Sequence, residues 1–173
     1  MKIYARGEDR MPRSMGLLVS MLMRYPELAA VHYEPEDDCL RLTFLIKMRE
    51  ERTDFNAFEA LLKDSVDTLC RLEGKRPKRC SCTVSSLGQL SALEITRDVE
   101  SLSREELSLL VTLVREEYDE ILEYEEPDGL AEEEDPYLHD ELISEMLDDL
   151  RETKHDRRLF AIREEDCVLV FNK

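Results

Sequence analysis

The sequence is short of the material that most catalytic and membrane functions require. Five glycines in 173 residues leave little for a phosphate-cradling loop, and no Gly-x-Gly-x-x-Gly pattern occurs. There is no Gly-x-Ser-x-Gly elbow, and no motif places His32, His139 or His155 beside a Cys or Ser that would act as nucleophile. Neither an Asp-x-Asp-x-Asp-Gly loop nor a His-x-x-x-His pair is present to fix a metal geometry. The five cysteines, Cys39, Cys70, Cys80, Cys82 and Cys167, are odd in number and spaced neither as a disulfide framework nor as a zinc site. Reduced, mostly buried thiols are expected, with Cys80 and Cys82 on the same side of a strand as Val84. Long apolar runs are missing too. The stretch Met15 to Met23 is nine residues and is interrupted by Gly16 and Ser20, too short for a bilayer. The opening Met1 to Gly7 has no apolar run behind its charges, so no secretory signal is read there. These absences predict a cytoplasmic protein without membrane association, cofactor or resident metal, and more readily a binding protein than an enzyme.

The most informative absence is of positive charge. Between Glu116 and Leu150 there are 17 carboxylates and no Lys or Arg, whereas the other 138 residues hold 24 acids and 24 bases. The whole net charge of −17 is therefore concentrated in one window. Like charge on that scale stays in water and attracts basic surfaces over a Debye length of about 8 Å at physiological salt. A surface for a basic protein partner is expected from Glu132, Glu133, Glu134, Asp140, Glu141, Glu145, Asp148 and Asp149. A divalent cation held by His139, Asp140, Glu141 and Glu145 in a metal-dependent enzyme is the weaker reading, since a carboxylate-rich helix face is usually only solvated. Arg71, Lys75, Arg76, Lys78 and Arg79 put five positive charges near a helix end. They offer an RNA-phosphate loop as the alternative, which the chain's net negative charge opposes.

What remains is patterned for a folded core. Residues 2–6 alternate as a short strand ended by Gly7. From Ser14 to Tyr25, Met15, Leu18, Val19 and Leu22 recur at helical spacing and Leu17, Met21 and Met23 make the helix apolar almost all round, with Pro26 ending it. So little polar face predicts burial on most sides or a homodimer through this helix. Residues 29–48 switch to period two around Glu34 to Asp38, a β-hairpin. A helix over 54–73 stops at Gly74, and a second hairpin has arms 80–85 and 90–96 with its turn near Gly88. Ser103 and Glu106 read as a capping box, with Leu102 and Leu107 as its hydrophobic staple, for a helix running to about Tyr124. Pro136 opens another helix, and the chain returns to a sheet over 158–172 in a run apolar on both faces.

Helix–strand–strand thus recurs three times, from Ser14, Asp54 and Pro136. The expectation is a single α+β domain over 1–173. It has a mostly antiparallel sheet of hairpins, helices on one face, and 116–150 as an acidic helix–loop–helix segment.

Overall fold

Alternation at period two builds the sheet, and helices at period 3.6 close over one of its faces. The computed structural model describes residues 2–6, 13–47, 55–124, 136–153, 157–164 and 167–172. In chain order these form β1 (Lys2–Arg6), α1 (Arg13–Arg24), β2 (Ala30–Glu34), β3 (Cys39–Ile46), α2 (Phe55–Leu72), β4 (Cys80–Leu87), β5 (Leu90–Asp98), α3 (Arg104–Tyr118), β6 (Leu122–Glu123), α4 (Pro136–Glu152), β7 (Leu159–Glu164) and β8 (Cys167–Asn172). The sheet order is β1-β8-β7-β2-β3-β5-β4, with β6 pairing β3 off this path. Every pairing is antiparallel except β1 with β8. The fold is α+β, and the helix–strand–strand unit does recur three times, as α1-β2-β3, α2-β4-β5 and α4-β7-β8. The hairpins are not in chain order, because the last one returns to lie beside the first, β7 against β2.

Register explains which face is buried. Val31 lies opposite Leu42 and Ala161, and Tyr33 opposite Leu40 and Leu159, so alternate residues of three strands share one face. Phe44 and Leu93, Leu42 and Ile95, and Ala161 and Val170 continue that face across β5 and β8. All of these are buried with α1, α2, α3 and α4 side chains in one hydrophobic cluster. Two tight reversals use glycine for a physical reason: Gly74 after α2 (φ 70°) and Gly88 between β4 and β5 (φ 66°) sit in the left-handed region that a Cβ disfavours.

Three sequence expectations change in the folded chain. The first concerns α1. Met15, Leu17, Leu18, Val19, Met21 and Leu22 are all buried, because α1 lies between the sheet and α4. Gly16 lets the two helices approach closely, since a Cβ there would stand 3.1 Å from Met146 Cε. The apolar outer side that suggested a dimer through 14–25 is covered by the chain's own α4, so it offers no free face. The second concerns α3, which stops at Tyr118 and not near Tyr124. Strand β2 begins opposite Thr43, which leaves Leu45 and Ile46 of β3 without a partner on that side; β6 turns back to supply one. The third concerns the last run. Strand β8 is interior, between β1 and β7, but only Val168 and Val170 join the core. On its other face Leu169 and Phe171 are half-buried with Ile162, Phe160 and His32, where Phe160 meets His32 edge to face at 5.6 Å and lies tilted against Phe171 at 6.2 Å.

Helix α4 is amphipathic in the strict sense. Ile143, Leu147 and Leu150 are buried while Glu141, Glu145 and Glu152 are exposed. Leu147→Ala is expected to lower stability by about 2–4 kcal/mol in urea unfolding, because its cavity opens between α4 and the layer beneath. Glu145→Ala on the opposite face should change it by less than about 0.5 kcal/mol.

Candidate functional site

The largest fully buried side chain among the described residues is charged: Arg97, on the core face of β5. Its register partners are Leu40 on β3 and Cys80 on β4, so period two alone carries it inward. Its fork is filled. Nε donates to Glu106 Oε1 at 2.5 Å and Nη2 to Glu106 Oε2 at 3.1 Å, a bidentate pair. Nη2 also donates to Ser101 Oγ at 2.8 Å, and Nη1 donates to Asp98 Oδ1 at 2.5 Å and to the carbonyl of Arg79. Asp98 in turn accepts the backbone N–H groups of Lys78 (2.9 Å), Arg79 (2.8 Å) and Ser101 (3.0 Å) and the Ser101 hydroxyl (2.6 Å). Two carboxylates face one guanidinium, and Glu106 lies in the first turn of α3, where the helix dipole favours negative charge. Burial opposes ionisation of Asp98, but the Ser101 hydroxyl, the Arg79 N–H and Arg97 outweigh it and hold the carboxyl at about 2.

This cluster alters the expected capping box. Ser103 is the N-cap and accepts from the Glu106 N–H at 3.1 Å, while its hydroxyl donates to Glu73 Oε1 at 2.8 Å. The Glu106 carboxylate is drawn into the core by Arg97. Arg151, from the last turn of α4, donates to the carbonyls of Val99 (Nε, 3.1 Å) and Leu102. Residues 98–106 therefore join β5, the start of β4, the end of α2, the start of α3 and the end of α4.

The acidic residues singled out in the sequence separate into different environments. Asp140 is turned inward, held by Arg24 Nε at 2.8 Å and Arg104 Nη1 at 2.9 Å, so it ties α4 to α1 and α3. Arg24 also lies over the Tyr25 ring, whose hydroxyl shares a 2.9 Å hydrogen bond with Ser108. Glu141 and Glu145 are exposed and carry no ion pair among the described residues; Asp148 is exposed and paired with Arg151, and Asp149 is half-buried and engaged. Glu132, Glu133 and Glu134 lie outside the described residues. Glu116, Glu117, Asp119 and Glu120 at the end of α3, and Glu152 at the end of α4, are exposed and unpaired among the described residues. Asp140, Glu141 and Glu145 thus fan apart. Among the described residues no group of three or more His, Cys, Asp or Glu is placed to hold a metal ion.

The basic cluster is brought together, but largely neutralised. Arg71 pairs with Asp67 at 2.7 Å, Lys75 with Glu73 at 2.9 Å, Arg79 with Asp37 at 2.8 Å, and Lys78 with Glu100. Only Arg76 of the five has no carboxylate partner among the described residues. The partners are local acids, none from the 116–150 window.

The thiols of Cys70 and Cys82 are chemically quiet. Burial pushes Cys82 up to about 12, and burial together with Glu106 pushes Cys70 up to about 11. At neutral pH both are protonated and poor nucleophiles. No described helix is long and apolar enough to cross a membrane. Comparison with protein-family profiles, with curated proteins and with solved structures finds no match to this chain.

Sequence reading missed Arg97 because it ended that strand at Thr96. A signal was present: the strict alternation of Leu93 and Ile95 points the next odd position inward.

Two outcomes follow from the buried cluster. Arg97→Met, which leaves Glu106 and Asp98 buried without their cation, is expected to cost about 3–5 kcal/mol in urea unfolding, and adding Glu106→Met should return at least half of it. The depressed Asp98 carboxyl contributes stability on the order of 2 kcal/mol above its ordinary value of 3.8, lost as pH falls from there towards about 2. Asp98→Asn should flatten that part of the acid-unfolding profile.

Proposed function

We propose that this protein is a non-enzymatic interaction module of the cytoplasm, presenting an acidic helical surface to a protein partner rich in Lys and Arg. The observation that supports this is the uneven use of charge. Bases of the fold are spent on its own acids: Arg24 and Arg104 on Asp140, Arg41 on Glu94, Lys47 on Glu123, Arg115 on Glu27, and Arg158 on Glu34 and Glu36. Among the described residues, most of the exposed carboxylates left without a base lie on the outer face of α4 and the end of α3, namely Glu116, Glu117, Asp119, Glu120, Glu141, Glu145 and Glu152, against only Asp64 on α2 and Glu164 on β7 elsewhere. Unpaired surface charge of one sign speeds encounter with an opposite surface and excludes like-charged ones.

The RNA alternative through Arg71, Lys75, Arg76, Lys78 and Arg79 is less well supported. Four of the five already face a carboxylate where a phosphate would have to sit.

Substituting Glu141, Glu145 and Glu152 together with Gln removes charge from an exposed face, so the fold should be kept. Binding of a Lys/Arg-rich protein, selected from native lysate on the wild-type chain, is expected to weaken at least tenfold and to lose much of its salt dependence. Equal capture by the wild type and the triple variant would reject the acidic surface as the docking site.

A further inference from the structure

We propose that strand β4 pairs antiparallel with β4 of a second copy of this chain, about a two-fold axis normal to the sheet. The sheet has two ends. At one lies β1, whose sequence Lys-Ile-Tyr-Ala-Arg begins and ends on a charged residue. At the other, β4 has a single strand neighbour among the described residues, β5, and its sequence Cys-Ser-Cys-Thr-Val-Ser-Ser-Leu contains no charge and no proline. In a chain that is 38% Asp, Glu, Lys and Arg, the run from Cys80 to Leu93 is free of all four. Helix α2 shares the core cluster with the inner-facing Cys82, yet Thr83, Ser85, Ser86 and Leu87 are exposed, and Leu87 is 60% accessible. An uncharged, exposed edge strand with no second strand neighbour among the described residues is a template for another strand.

Charge identifies the occupant. Residues 55–100, which hold α2, β4 and β5, contain seven acids and seven bases, so the net −17 lies wholly outside this unit. A second copy is repelled by the acidic helices but not here. Side-chain chemistry agrees: small hydroxyls along the edge form no pocket to select a foreign sequence, whereas Thr–Thr and Ser–Ser neighbours across strands are favourable. An axis normal to the sheet keeps the helices of both copies on one face and requires directly opposed residues to have the same parity. Centred on Thr83, this sets Thr83 against Thr83 of the second copy, and Ser81 against Ser85 of the second copy, on the helix-free face. One such ladder is small beside a standard interface of about 1,600 Å², so the association is reversible.

Sedimentation velocity of the full chain at rising concentration, up to tens of micromolar in near-physiological salt, should show the mass double. Amide exchange over 81–86 should slow in parallel. Thr83→Lys with Ser85→Lys opposes like charges across the axis at exposed positions. It should leave a monomer with unchanged circular dichroism, whereas Leu61→Lys on exposed α2 should still dimerise. A monomeric wild type whose β4 amides exchange at a concentration-independent rate overturns the proposal. So does a dimer that survives the double substitution, or β4 protection that appears only on adding an unrelated extended peptide.

Discussion

A guanidinium removed from water sets the terms for the rest of this fold. Arg97 is expensive to bury, and its burial is offset only because Glu106, Asp98, Ser101 and the Arg79 carbonyl meet it together. Those partners come from a strand, a loop and the first turn of a helix, so each element must be in place for the others to be satisfied. A half-assembled version leaves charge unpaired in the core, which is a strong penalty against alternative packings of the same elements. The junction also explains why α3 begins where it does: Ser103 supplies the cap, and Glu106 is held by the core instead of by its own helix end.

Outside that junction, the arrangement follows from covering apolar surface. The sheet's inner face needs helices, and α1, apolar around nearly its whole circumference, needs cover of its own. Helix α4 provides it, stacking on α1 as a further layer and fastened there by Asp140 between Arg24 and Arg104 and by Arg151 on the 99–102 carbonyls. One side of the most acidic helix is thereby committed to structure. The other side carries Glu141, Glu145 and Glu152 into solvent without an ion pair among the described residues.

The internal ion pairs shape the surface field as much as the stability. Exposed pairs such as Arg71–Asp67 and Lys63–Glu59 contribute little folding free energy, because both partners stay hydrated and screened. Their effect is to cancel local fields, leaving the α2-β4-β5 unit neutral and the α3 end and α4 negative. A single chain thus carries two chemically different surfaces, one strongly acidic and one uncharged.

Much of this was legible in the amino-acid order because it depends on neighbours in sequence. Period two in 29–48 and 80–96, period 3.6 in 14–25 and 54–73, Gly74 and Gly88 in left-handed turns, and the Ser103 cap are local physics, and all appear where the residues put them. The segregation of charge is likewise a property of composition. Tertiary structure alone decided what touches what. Glu106 could be assigned to a capping box and Asp140 to an acidic surface only so long as their distant partners, Arg97, Arg24 and Arg104, were unknown. The hairpin order, with β7 beside β2, and the cover of α1 by α4 are contacts between segments more than a hundred residues apart. Nothing in a local pattern encodes such pairings, because they are selected by the total apolar area buried and the charges satisfied when every element closes at once.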